Sequence, residues 1–295
     1  MKTRLKKFSL IFKIASKEWY TKDPFKESAV IAYYSIFSLP GFLIVIIAIA
    51  GYFFGKEAVS GQIANEISST MGEETALQIQ EIIAKGSKSK NSAWASIIGV
   101  FTILIGATGV FVQFQKSMNT IWKVKSDEKK SGFIIFLKAR LFSFGLILST
   151  AFILIASLVI SSVISALGNW FSTYFSESFL VLIQILNSIV SLGILTSIFA
   201  LMFKYFPDAK VKWNHVWLGS LLTAILFEFG KFAIGFYFGT ANPGSGYGAA
   251  GSIILILLWV SYSSMIVFFG AEFTASYALQ YSGKVEPSNI AKKIY

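Results

Sequence analysis

The chain has 295 residues, 55% of them hydrophobic and 14% charged, with a mean hydropathy of +0.65. That excludes an ordinary soluble globular domain, in which about a quarter of residues are charged. The formal charge of +11 therefore has to be read by position along a membrane protein rather than as a whole-molecule property. The absence of cysteine excludes disulfides, thiol catalysis and thiolate metal sites, and the single histidine, His215, excludes a multi-histidine metal site. Lying between Trp213 and Trp217, His215 reads as an interfacial side chain and is assigned no role. No cofactor is expected.

The N-terminal segment, 1–29, is basic and broken by polar residues, and no small-residue cleavage site follows a short apolar region, so a cleaved signal peptide is not expected. Six apolar windows then follow at about 30–54, 93–114, 140–164, 179–203, 215–238 and 252–279, each long enough to cross a hydrocarbon core of roughly 30 Å. None alternates with period two, so a β-barrel is disfavoured. Because backbone polar groups have no other partners in lipid, the expected fold is an all-α polytopic membrane protein with one six-helix domain over 1–295.

Orientation follows from the basic residues. Twenty-one lysines and arginines fall in 1–29, 115–140, 204–214 and the C-terminal tail, against four (Lys56, Lys85, Lys88 and Lys90) on the other side. The positive-inside rule then places both termini in the cytoplasm of a bacterial inner membrane, with Lys231 the one cation left within a span. This asymmetry accounts for the net charge, and nucleic-acid binding is not expected.

Between the first two spans, 55–92 reads as an outer amphipathic element. Gly72 breaks it, Glu73 and Glu74 favour a helix start, and Ala76, Ile79 and Ile83 share one face; capping of the bundle is its expected role. The 115–139 segment reads as a basic membrane-surface stretch with Trp122 at the interface. In the first span Pro40 is expected to kink the helix, with nearby Ser35 and Ser38 available to the freed carbonyl. Gln184, Ser188 and Ser191 form a polar stripe in the fourth span, read as glue between helices.

Ionisable groups within spans are functional candidates because burying them is unfavourable. Glu228 and Lys231 lie three apart in the fifth span, a spacing that suits either a packing ion pair or a site for an anionic headgroup or a proton. Glu272, toward the cytoplasmic end of the sixth span, either snorkels or pairs with a base such as Lys138, Arg140 or Lys204. The glycine-rich connection 239–251 either turns simply or dips into the bundle, with Asn242 and Tyr247 its best hydrogen-bonding side chains. Glu228, Lys231, Glu272, Asn242 and Tyr247 together form the candidate substrate or ion path. No catalytic or metal residues are assigned.

Several of these segments resemble the YihY/BrkB family of bacterial membrane proteins, once labelled ribonuclease BN. The resemblance is carried by Ala32-Tyr-Tyr-Ser-Ile-Phe-Ser-Leu-Pro40, Met118-Asn-Thr-Ile-Trp122, Leu226-Phe-Glu-Phe-Gly-Lys231, Tyr247-Gly248, Trp259 and Gly270-Ala-Glu272, in matching order across 15–280. Ile254 stands where the family often has a proline, so a kink in the last span is not implied here. The resemblance implies a six-helix inner-membrane protein, and some family members are linked to export of envelope lipid precursors. The nuclease label fits poorly with this chain, whose cytoplasmic acids Asp127, Glu128, Asp208 and Glu286 are scattered among lysines. The expected function is to move or position an amphipathic, anionic envelope component, a lipid or lipid-linked precursor, without enzymatic activity. The alternatives are a non-transporting envelope scaffold and an ion- or proton-coupled channel or antiporter; membrane lipids are the expected partners.

Overall fold

A computed structural model describes residues 2–88, 93–127, 177–241, 243–282 and 284–294. Helices dominate: α1 (Lys2–Thr21), α2 (Pro24–Phe54), α3 (Lys56–Met71), α4 (Glu73–Lys88) and α5 (Ala93–Ile121) precede α6 (Glu177–Tyr205), α7 (Trp213–Ala241) and α8 (Gly251–Ser282). A strand β1 (Val124–Ser126) pairs antiparallel with β2 (Ala291–Lys293) near the C-terminus. Among the described residues, three helical stretches are long and apolar enough to cross a membrane: Ser188–Tyr205, Trp213–Ala241 and Gly251–Ser282. The windows expected at 30–54 and 93–114 lie in α2 and α5; the one expected at 140–164 lies outside the described residues.

α2 packs along α5 and α8, and α7 packs against both α6 and α8, so α8 is central to the bundle. Its seam with α7 uses small residues reciprocally. A side chain added at Gly219 of α7 would overlap the Thr274 hydroxyl of α8, and one added at Gly270 of α8 would overlap Thr223 of α7. Both threonines turn their hydroxyls back on their own helices, Thr223 to the Gly219 carbonyl and Thr274 to the Gly270 carbonyl, each at 2.7 Å. Each hydroxyl is thereby satisfied within its own helix, and dispersion across the closely approaching backbones holds the seam.

The outer element divides at Gly72, whose φ of +90° suits glycine and separates α3 from α4. Val59, Ile63 and Ile79 bury against Ile234, Phe238 and Leu255, so the two short helices close one end of the bundle. Ser252 donates to the Gln78 side chain across that contact. The glycine-rich connection forms a 3-10 helix over Ser245–Ala250 before α8.

The opposite end carries both chain termini, and here the structure departs from expectation. Trp122 is not interfacial: it is 6% exposed, in the main core with Phe203, Phe206 and Val211. The cause is local, since α5 continues to Ile121 and a turn with Lys123 at φ +54° folds the chain beneath its own helix. Residues 2–21 form a helix, α1, which docks Ile11 and Ala15 against Phe273 of α8. Of the polar stripe expected in the fourth span, Ser188 and Ser191 are exposed, and the side chain of Gln184 lies outside the described residues. α2 runs through Pro40 as one helix, and the Ser38 hydroxyl donates to the Ser35 carbonyl at 3.1 Å rather than to Ile36, the carbonyl that Pro40 frees.

Gly270→Leu is expected to force α7 and α8 apart and lower stability by about 1–3 kcal/mol. Thermal unfolding in detergent checks this, with Gly239→Ala, which meets no atom within 4 Å, as the variant expected to unfold like the wild type.

Candidate functional site

The charged residues that matter most gather at the termini end, where α1, α2, α5 and α8 meet. α1 ends at Thr21, and a short link through Lys22 and Asp23 turns the chain into α2. Asp23 takes a left-handed conformation, φ 50° and ψ 58°, and Pro24 occupies the start of α2, where its missing N–H leaves no helical bond unmade. This turn places Lys22 against α8. Its Nζ lies 2.5 Å from Glu272 Oε1 and 3.4 Å from Glu18 Oε2.

Glu272 is 2% exposed, so the ion pair is buried on its acidic side and open on its basic side, where Lys22 is half-buried. A buried carboxylate without a counterion is strongly unfavourable, and Lys22 supplies one. Glu18 also reaches Lys123 Nζ at 3.5 Å. Partial burial acts to raise the Glu18 pKa, but the ammonium groups of Lys22 and Lys123 outweigh it and hold the carboxyl below its usual range.

Beside this pair lies a cavity of about 270 Å³. Its polar wall includes Lys22, Lys26, Glu27 and Thr120, and its apolar wall includes Trp19 and Phe268. Glu27 is held in place by Gln113, whose Nε2 donates to it at 2.6 Å, and by the Ser117 hydroxyl at 2.5 Å. Trp19 is fixed by its own Nε1, which donates to the Met265 carbonyl at 3.2 Å. The exposed Lys26 and the N-terminal turn of α2 face the same cavity, and a helix N-terminus carries partial positive charge. The result is a pocket of mixed charge, with Lys22 and Lys26 set among the carboxylates of Asp23, Glu27 and Glu272, and with an aromatic side.

A second polar cluster braces this end. Asp208, 2% exposed in the turn between α6 and α7, accepts from Asn119 Nδ2 at 3.0 Å and from Ser126 Oγ at 2.8 Å, with Gln115 Nε2 at 3.4 Å. Its own N–H donates to Asn119 Oδ1 at 2.7 Å. Its carbonyl accepts from the Ser288 N–H at 2.8 Å, which ties the C-terminal tail to the same turn. The tail continues into β2, and Lys292 reaches Asp127 at 3.2 Å. Asp208 thus joins α5 and β1 through its carboxylate and the C-terminal tail through its backbone carbonyl. Such satisfaction is what burial of a charge in a low-dielectric region demands.

Of the residues singled out in the sequence, Glu272 lies in the cavity wall, and its partner is Lys22. Lys204, one proposed partner, instead donates to the Val211 carbonyl and lies 5.7 Å over the Trp213 ring. Lys138 and Arg140 lie outside the described residues. Glu228 and Lys231 are half-buried midway along α7, and no ion pair within 4.0 Å joins the two among those of the described residues. Tyr247 is 61% exposed before the start of α8, about 30 Å along that helix from Glu272, and Asn242 lies outside the described residues. Of the four described residues, Glu272 lies in the cavity wall, Glu228 and Lys231 lie midway along α7 and Tyr247 lies beyond the far end of α8, so these four do not share one site. Sequence reasoning missed Lys22, Lys26 and Asp208. His215 Nε2 lies 2.7 Å from Ser282 Oγ, at the rim of the same end.

Long apolar helices packed through glycines, with their buried charges confined to hydrogen-bonded clusters, define an integral membrane protein of the helical class. The chain belongs to the Virulence factor BrkB family, whose profile matches residues 15–294. It is 31% identical over 191 residues to a UPF0761 membrane protein of Tolumonas auensis, covering 63% of this chain and 59% of that one. A UPF0761 membrane protein of Saccharophagus degradans is 26% identical over 270 residues, with coverages of 89% and 58%. One from Pseudoalteromonas atlantica is 29% identical over 249 residues, with coverages of 83% and 78%. The chain thus spans under two thirds of the length of the first two of these relatives. No solved structure matches it.

Asp208→Ala is expected to leave the amide groups of Asn119 and Gln115 and the Ser126 hydroxyl short of a buried acceptor, at about 2–3 kcal/mol. Limited proteolysis reads the local consequence, with cleavage expected within 284–294 well before the helices are cut.

Proposed function

We propose that this protein is a six-span inner-membrane protein with both termini in the cytoplasm, and that it moves or positions an anionic amphiphile of the cell envelope. The headgroup would be met at the cavity bounded by α1, α2, α5 and α8. The observation that carries this reading is the placement of Lys22. Its ammonium sits in the cavity wall, shared between Glu18 and the buried Glu272, with Lys26 and the α2 N-terminus close by. A phosphate or similar headgroup entering from the membrane side competes for that ammonium through a charge-assisted hydrogen bond. Trp19 and Phe268 offer the adjoining apolar surface. Of the three cavity acids, Glu27 is engaged by Gln113 and Ser117 and Glu272 by Lys22, while Asp23 is exposed, where solvent screens its charge. In this reading the cargo is transferred or held without covalent chemistry, and the half-buried Lys231 serves the membrane-embedded part of the route.

A second reading, ion- or proton-coupled transfer, draws on the burial of Glu272 itself, since an intramembrane carboxylate paired with an exchangeable ammonium is a common basis for coupling. The two separate by experiment: Glu272→Gln abolishes coupled ion flux in liposomes under the second reading and leaves lipid binding in place under the first.

Native mass spectrometry of the protein released from its own membrane in mild detergent tests the leading reading. The wild type is expected to retain a defined anionic lipid. The double variant Lys22→Met/Glu272→Gln, which removes both charges and so avoids a lone buried carboxylate, is expected to lose it. Loss in Lys231→Met alone would move the headgroup site to α7, and bulk lipid in every form would contradict the proposal.

A further inference from the structure

α1 has a pattern that docking on α8 does not use up. Ile11 and Ala15 form its buried stripe, against Phe273, Leu218 and Leu222. On either side of that stripe four large apolar side chains remain exposed, Phe8 at 42% and Phe12 at 41% on one flank, Leu10 at 50% and Ile14 at 39% on the other. At roughly 100° per residue, Lys6, Lys13 and Lys17 fall together on the arc opposite the stripe, and all three are exposed. The apolar arc is thus much wider than the contact with the protein, interrupted by Lys7 beside Ile14, and the arc of Lys6, Lys13 and Lys17 is turned away from it.

The height of α1 along the bundle is also fixed. The Phe8 ring lies 5.4 Å from Phe273, the Phe12 ring 5.2 Å from Phe269, and Trp19 reaches the Met265 carbonyl. These partners belong to Gly251–Ser282, a helix apolar enough to cross a membrane. α1 therefore runs beside the last part of a membrane-crossing helix, where its apolar flanks meet the edge of the bilayer and its lysines the headgroup layer. The contacts step from Phe273 back to Met265 as α1 advances from Phe8 to Trp19, so α1 runs antiparallel along α8, and long lysine side chains on such a helix extend to the headgroups while their stems cover apolar surface.

We infer that α1 is a membrane-contacting helix, docked antiparallel along the end of α8, whose exposed flanks meet the acyl chains of the adjoining leaflet and whose Lys6, Lys13 and Lys17 reach out to bind its anionic headgroups. The occupant is the lipid surface, chosen over a protein partner by charge: the basic arc complements anionic lipid, and each lysine near such a surface contributes about 1 kcal/mol. The consequence reaches the cavity, because α1 carries Glu18 and Trp19 and delivers Lys22 to Glu272. The inference stands on α1 alone and does not depend on what the cavity binds.

The cysteine-free chain allows a direct test with single nitroxide-labelled cysteines at Leu10, Ile14, Lys13 and Lys17, in nanodiscs of mixed phosphatidylglycerol and phosphatidylcholine. Labels at Leu10→Cys and Ile14→Cys are expected to collide more with dissolved oxygen than with a water-soluble nickel complex, and labels at Lys13→Cys and Lys17→Cys to do the reverse. Four labels that all favour the nickel complex would place α1 off the membrane and overturn the inference. Labels at Leu10 and Ile14 hidden from both agents would mean that protein, a second copy or another chain, covers the flanks, and would overturn it too. Spin-labelled phosphatidylglycerol should associate about threefold or more weakly with the Lys6→Gln/Lys13→Gln/Lys17→Gln variant than with the wild type. Equal association would remove the lysines from the account.

Discussion

A carboxylate buried at the end of a membrane-crossing helix requires a cation, and in this chain the cation comes from outside the bundle. Glu272 is almost wholly enclosed on α8, and Lys22 reaches it from the link that follows the peripheral α1. The ion pair ties the α1–α2 link, set by the Asp23–Pro24 turn, to α8 and forms part of the cavity wall. Packing along α1 holds the same arrangement, through Ile11 and Ala15 on Phe273 and through Trp19 on the Met265 carbonyl. Moving Lys22 would leave a buried charge without a partner, so the pair and the docking of α1 stand or fall together.

The rest of the termini end is organised around a second buried carboxylate by a different means. Asp208 has hydrogen-bond donors in Asn119, Ser126 and Gln115, and it gathers α5, the α6–α7 turn and the C-terminal tail. At the other end α3 and α4 close the bundle with apolar contacts around Val59 and Ile79, joined by the Ser252–Gln78 hydrogen bond. Between the two, the Gly219–Thr274 and Gly270–Thr223 contacts hold α7 against α8. The described residues are thus braced by buried carboxylates at one end, chiefly apolar packing at the other and close backbone approach between. The end with buried charge is also the end with the cavity, and this is why the functional reading rests there.

Much of this architecture was legible in the sequence because the relevant signals are local. An apolar window of about 20 residues announces a span whatever surrounds it, and Gly72 marks a break between two short helices by its own backbone freedom. Glu272 was a candidate because an acid within such a window is rare. Its partner was not legible: Lys22 lies 250 positions away, and nothing local distinguishes it from the other lysines of the N-terminal segment. Asp208 looked like one more surface acid, although Gln115 and Asn119, four apart on one face of α5, were a usable signal that this face meets something polar. Trp122 was misplaced because the preference of tryptophan for membrane interfaces was applied where a turn buries the ring instead. The basic N-terminal run was read for charge alone, and the Ile11–Ala15 spacing within it, one helical turn, was the overlooked sign of α1.

The claim on which the account most depends is that Lys22 and Glu272 are one unit. A double-mutant cycle measures it directly, from the thermal unfolding of the wild type, Lys22→Met, Glu272→Gln and the double variant in the same detergent. The account predicts that Lys22→Met, which strands the carboxylate, is the least stable form, and that adding Glu272→Gln restores stability, with a coupling energy of about 1–3 kcal/mol. Single effects that simply add would contradict it, because Lys22 and Glu272 would then be neighbours without being partners.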